Sequence, residues 1–334
     1  MYIRESRKIH PSYTMQDAVK QVYQSVFLSE HALSGEAERL FMEEYDSIEP
    51  SSLPLYERIG KDAYRIDMRA WKALGLKPEW LFRLFLLSSK ESNGSVGDFI
   101  KALREADTGF EGWNGYVESY LEGGVRAVHH SAQYRDRENP HYRVVGKTAF
   151  SLVDILSMIG RRDRCTIAID GPAASGKTTL ASALSFVLDA DAIHMDDFFL
   201  PPEIRTEERL SEKGGNVHYE RFMEEVIPFL GSSLSFSYRI FDCSLMDYNG
   251  ARTIRGNGIN VIEGSYSCHP RFRESIDIKV FLKIDRQLQL ERIAERDGKE
   301  ALRAFVERWI PYENAYFEEY SIESSADIVK PASV

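Results

Sequence analysis

The stretch Gly171-Pro-Ala173-Ala174-Ser175-Gly176-Lys177-Thr178, followed by Thr179, carries two glycines with four residues between them, then Lys and Thr. That spacing matches a phosphate-binding loop, and its flanks agree with one. Before it runs Cys165-Thr-Ile-Ala-Ile-Asp170, apolar and β-branched, which reads as a buried parallel strand. After it, Leu180, Ala181, Leu184 and Leu188 recur at helical spacing. A glycine turn matching by chance would lack this strand–loop–helix order. The glycines let backbone N–H groups close around a phosphate chain, and the helix N-terminus adds partial positive charge. Gly171 and residues 173–179 are therefore the expected nucleotide-contacting residues. Lys177 is expected to reach the β- and γ-phosphates, with the Thr178 hydroxyl on Mg²⁺.

The chain has 334 residues, enough for two domains, with ordinary apolar (43%) and charged (28%) content. A formal net charge of −10 argues against broad nucleic-acid binding, which needs clustered Lys and Arg. The three cysteines, Cys165, Cys243 and Cys268, are widely spaced and suggest no disulfide framework, which fits a reducing cytosol. The charged start, Met1-Tyr-Ile-Arg-Glu-Ser-Arg-Lys, does not read as a signal peptide. The longest apolar run, Leu84-Phe-Leu-Leu87, is far too short to span a membrane. A cytoplasmic protein is expected, with the domains falling at 1–150 and 151–334 and the boundary between Val145 and Arg164.

The first half reads as mostly helical. Helical spacing covers residues 14–46 with a break at Gly35, then Met68–Leu74, Glu79–Leu87, Ser95–Ala106, Trp113–Leu121 and Ser151–Ile159. Its most suggestive stretch, His129 to Arg143, holds three histidines with Arg135, Arg137, Arg143, Ser131 and Tyr134. Such a mixture suits an anion-binding or acid–base site, and equally a polar loop whose histidines cap local structure. His31 is a candidate to join it. What this half binds is left open by the residues.

In the second half, Ala192–Met195 reads as a strand with Asp196-Asp197 at its C-terminal end. Ligands of open α/β sheets bind beyond strand C-termini, which suits one Asp as proton acceptor and the other near the Mg²⁺ shell. Capping of the next turn is the alternative. Gly258–Gly264 reads as a third strand that brings Glu263 beside the phosphate loop, and Ile278–Ile284 as a fourth. The helix that follows puts Arg292 and Arg296 four residues apart on one face before Asp297-Gly298. A mobile lid carrying arginines over a transferring phosphoryl group has this form, and so does a solvated basic face.

Further motifs are Met195-Asp-Asp-Phe-Phe199, His218-Tyr-Glu-Arg-Phe222, Tyr238-Arg-Ile-Phe-Asp242 and Val261-Ile-Glu-Gly264. With the phosphate loop and the lid arginines, they make Cys165 to Tyr320 resemble the uridine kinase family of P-loop kinases. The resemblance implies an α/β P-loop NTPase fold with a parallel five-stranded sheet and helical lid, beside the helical N-terminal domain. It implies transfer of the ATP γ-phosphoryl group to a nucleoside hydroxyl. By position Asp196 matches the catalytic Asp, with Lys177, Arg292 and Arg296 assisting. Glu263, Thr178 and Asp196 match the Mg²⁺ site. Asp197, His218, Tyr238 and Asp242 fall in segments that line the acceptor pocket. Two departures stand out. Met246 occupies the place of a base-reading His, and no ribose-binding Asp appears near Asn216–Glu220, where His218 or Glu220 would have to substitute.

The leading expectation is an ATP/Mg²⁺-dependent kinase acting on a small hydroxyl acceptor, with uridine or cytidine first. The alternatives are a P-loop kinase for a non-nucleoside alcohol and a nucleotide-gated binding module. No Asn-Lys-x-Asp guanine motif and no Leu-Ser-Gly-Gly transporter signature occurs. A homo-oligomer stays open.

Overall fold

The computed structural model describes residues 2–28, 35–91 and 94–332. The chain divides into two units, Met1–Arg161 and Arg162–Val334, so the helix Val153–Ile159 belongs to the first. None of the described helices is long and apolar enough to cross a membrane.

The first unit is mostly helical. Met15–Phe27 begins at a capping box, Thr14 with Asp17, and Val96–Arg104 at a second, Ser95 with Asp98. Each box satisfies N–H groups that an isolated helix end would leave unpaired. Val19, Val22 and Phe27 pack with Phe99, Leu103, Trp113 and Val117 in one buried cluster. The expected helical span over 14–46 crosses residues 29–34, which lie outside the described residues, as does His31. On either side of the gap stand the helices Met15–Phe27 and Ala37–Ser47.

This unit also contains a sheet that the sequence reading did not anticipate. Strands β1 (Tyr56–Arg58), β2 (Ala63–Asp67) and β3 (Tyr142–Gly146) pair antiparallel in that order. The strands are short, and β2 buries the charged Arg65 among its core residues, so no clean apolar alternation announces it. The polar stretch from His129 to Arg143 is likewise ordered. His130 is buried, Ser131 caps the helix Ala132–Glu138, and Tyr142 opens β3.

The second unit is built on a parallel sheet. Its strands are β4 (Cys165–Asp170), β5 (Ala192–His194), β8 (Ile259–Glu263), β9 (Ile278–Lys283) and β10 (Ile328–Pro331). They run in the order β10-β9-β4-β8-β5, all parallel, with helices in the connections. β4 and β8 are buried along their whole length, which is why they read as continuous apolar runs. β10 gave no such signal: it is a short, half-exposed edge strand ending at Pro331, a residue tolerated only at an edge. β6 (Phe236–Asp242) and β7 (Asp247–Ile254) form a separate antiparallel hairpin whose Phe236, Tyr238 and Phe241 are buried. This is the P-loop NTPase fold. Because the strands are parallel, the ends of β4, β5 and β8 open on one edge, and the candidate site lies there.

Candidate active site

The loop after β4 turns sharply. Gly171 has φ 140°, and a Cβ placed there would come within 2.4 Å of the Leu282 carbonyl oxygen on β9. Ala174 and Gly176 take left-handed backbone, φ 60° and 94°, before the helix Lys177–Leu188 begins. The loop is braced from outside. Glu313, on the helix Ile310–Glu319, accepts from the Ala173 N–H (2.9 Å) and from the Ser265 hydroxyl (2.7 Å). Arg292 donates to the Ala174 carbonyl at 3.2 Å, and Gln289 to the Ala173 carbonyl at 3.1 Å. Ser175 is fully buried within the loop, while Thr178 and Thr179 are exposed at the start of the helix.

Asp170, the last residue of β4, is a buried hub. Its carboxylate accepts from the N–H groups of Gly171, Tyr266 and Cys268 and from the Tyr316 hydroxyl. Burial pushes its pKa up to about 6 despite those donors and the Lys177 charge. It ties the loop to the segment after β8. Nothing in the strand pattern distinguishes it from an ordinary strand-end residue.

Lys177 lays its ammonium over the loop, donating to the carbonyls of Gly171 (2.8 Å) and Pro172 (3.0 Å). Beside it, Thr178 Oγ1 stands 3.2 Å from both carboxylate oxygens of Glu263. Glu263 is buried and is held by His194, whose Nδ1 lies 2.6 Å from its Oε1. The contact follows from register, since His194 and Glu263 are direct partners across β5 and β8. His194 was not singled out in the sequence, where only the strand, and not its pairing, is visible.

A hydroxyl and a carboxylate oxygen 3.2 Å apart are hard donors spaced close to the roughly 3 Å edge of a Mg²⁺ octahedron. They fit that ion. Among the described residues no cluster of three or more His, Cys, Asp or Glu could hold a metal. A Mg²⁺ ion here would therefore complete its shell with phosphate oxygens and water.

Asp196 follows β5 in a short 3₁₀ turn, Met195–Phe198. Its side chain keeps solvent access, yet protein crowds the carboxyl and this crowding raises its pKa above the ordinary value. The Lys177 charge opposes the rise, and the negative charges of Glu263, Glu313 and Asp197 add to it. Asp196 thus belongs electrostatically to the phosphate-loop group.

Asp197 points elsewhere. It is buried and accepts from the Tyr238 hydroxyl (3.0 Å) and from Arg252 Nε (3.1 Å). Tyr238 is itself buried, its hydroxyl also accepting from the His194 N–H at 3.3 Å. The pair fastens the Asp196 turn to the hairpin, assisted by the buried Arg221, which donates to the Asp197 carbonyl. His218 caps the helix Tyr219–Glu225 and lies 3.2 Å from Glu220. Asp242 closes the β6–β7 turn, accepting from the Ser244 N–H and hydroxyl and from Asn249. Those donors lower its pKa to about 2. Arg292 and Arg296 lie on the helix Arg286–Ala304, which breaks at Gly298 (φ 84°, ψ 170°). Arg292 reaches the loop, and exposed Arg296 pairs with Asp297 at 2.7 Å.

No family model matches the chain, and no curated protein matches it. Solved structures do. A candidate uridine kinase from Bacillus stearothermophilus is 23% identical, with 55% of this chain and 96% of that one covered, at a TM-score of 0.44. A candidate fructose transport system kinase from a Silicibacter species is 19% identical, covering 55% and 98%, at a TM-score of 0.46. A circularly permuted candidate P-loop kinase from Saccharomyces cerevisiae is 12% identical, covering 56% and 99%, at a TM-score of 0.43.

Proposed function

We propose that the second unit is an ATP- and Mg²⁺-dependent phosphotransferase acting on the hydroxyl of a small acceptor. The observation that carries this reading is the shared edge. Lys177, the Thr178–Glu263 pair and the Asp196 carboxyl all gather beyond the ends of three adjacent parallel strands.

Each group has a distinct task in phosphoryl transfer. The loop N–H groups and Lys177 bind and orient the triphosphate. Thr178 and Glu263 would hold Mg²⁺, which would supply neutralising charge on the phosphate oxygens. Asp196 takes the proton of the attacking hydroxyl, and its raised pKa makes it a better proton acceptor than an ordinary surface Asp. The lid arginines stabilise charge as it spreads over the transferring group. A pure nucleotide switch has no use for a carboxyl pair such as Asp196 and Asp197 just beyond a strand end, which favours the enzyme.

The test is ADP release from ATP/Mg²⁺ by the purified chain against a panel of small alcohols, with uridine and cytidine first because of the family resemblance. Stimulation by at least one acceptor, lost in Asp196→Asn while ATP binding persists, is the expected result. Turnover indifferent to every acceptor would overturn the reading.

A further inference from the structure

Between the Asp196 turn and the helix Tyr219–Glu225 the chain forms a strap, closed by a bridge between Phe199 and Val217. Arg205 stands on it, just after the 3₁₀ turn Pro202–Ile204, and is half-buried. Among the described residues no carboxylate lies within 4 Å of its guanidinium. Its hydrogen bond is from Nη1 to the Met246 Sδ, at 3.9 Å. A thioether is a weak acceptor, and no carboxylate among the described residues pairs with this half-buried cation.

The neighbouring arginines are treated differently. Arg209 pairs with Glu220 at 2.9 Å, Arg221 with Glu225 at 3.7 Å, and Arg252 with Asp197 at 3.1 Å. Asp242, at the start of the turn that carries Met246, is already committed to Ser244 and Asn249. Met246 and Cys243 both belong to the β6–β7 turn. Arg205 thus touches the hairpin at Met246, and the Asp196 turn is fastened to the same hairpin through Asp197, Tyr238 and Arg252.

We infer that Arg205 reads the acceptor, and that the acceptor carries an anionic oxygen group, a carboxylate or a phosphate, besides the hydroxyl it offers to Asp196. The inference rests on the phosphotransferase reading and names its substrate class. A guanidinium presents a planar fork that matches either anion. Met246, which cannot hydrogen-bond a base edge as a His would, flanks the fork with apolar surface. In the reaction the acceptor hydroxyl oxygen forms the new P–O bond. The bond between the γ-phosphorus and the β–γ bridging oxygen breaks, ADP leaves, and the hydroxyl proton passes to the Asp196 carboxylate.

ADP release by the full chain is measured with matched acceptors: glycerol against glycerate, ribose against ribose 5-phosphate, uridine against its 6-carboxylate. The expected result is a kcat/KM at least about tenfold higher for the anionic member of at least one pair. The pair that responds tells carboxylate from phosphate. Arg205→Ala then raises KM for that anion about 10–100-fold and leaves KM for its neutral partner within a few-fold. Arg205→Lys, which keeps charge but loses the fork, falls between them. Equal use of neutral and anionic members, or equal loss on both in Arg205→Ala, overturns the inference and leaves the phosphotransferase standing. Silence with every pair overturns both.

Discussion

Thr178 Oγ1 lies 3.2 Å from each carboxylate oxygen of Glu263, although 85 positions separate the two residues in the chain. The parallel register of β4 and β8, in which Ile169 faces Glu263, brings the strand-end acid alongside the first turn of the loop helix. His194, the partner of Glu263 on β5, completes the arrangement at 2.6 Å. A ligand pair held in this way from behind is preorganised for a hard cation.

Replacing His194 by Ala removes the group that orients Glu263. The Mg²⁺ concentration for half-maximal ADP release is expected to rise about 10–100-fold. Metal-free ATP binding, followed by titration calorimetry, is expected to stay within a few-fold. An unchanged Mg²⁺ dependence would leave His194 a packing residue only.

The pH dependence follows from Asp196. Its carboxyl must be ionised to accept a proton, and its pKa is raised, chiefly by crowding. The acid limb of kcat/KM is therefore expected above the ordinary Asp value of 3.8, with rate falling as pH drops through the raised pKa. Asp196→Asn should lower kcat by about 10²–10⁴-fold and abolish that limb. A limb that persists in the residual activity of the variant would assign it to another group.

The first unit makes its own prediction. Buried His130 sits with Nδ1 2.7 Å from Asp17, and its pKa is lowered from 6.5 to about 4, mainly by burial. A neutral histidine in the folded state contributes stability that is complete above pH 6.5 and is lost as pH falls toward 4. At about 1.4 kcal/mol per pKa unit, its share is about 3 kcal/mol. His130→Gln is expected to flatten the melting temperature of this unit across that window, read by calorimetry from pH 4 to 7. Parallel curves for the two proteins would remove His130 as the cause.

Gly171→Ala tests the loop itself. The added methyl would meet the Leu282 carbonyl at 2.4 Å, on backbone that strains any L residue at φ 140°. Loss of ATP binding by tenfold or more is expected, together with a lower melting temperature of the second unit. Gly298→Ala, with nothing within 4 Å of its added Cβ, carries only the conformational strain and serves as the comparison. ATP affinity reduced equally by both would show that steric contact with β9 is not what matters at Gly171.

The phosphate loop, its strand and its helix are legible in the order of residues alone, because they are contiguous and their spacing carries the signal. The sequence also marked Glu263 and Asp196, since each closes or follows an apolar run and strand ends are where such folds bind ligands. Tertiary structure decided the partners. Whether Asp197 faces ligand or Arg252, and whether His130 meets solvent or Asp17, depends on which distant elements pack together. The same holds for the bracing of the loop by Glu313 and for the sheet that buries Arg65. A local pattern records which way a side chain faces along its own helix or strand. The charge or hydrogen bond it finds there is set by strand register and by packing across more than a hundred residues of chain.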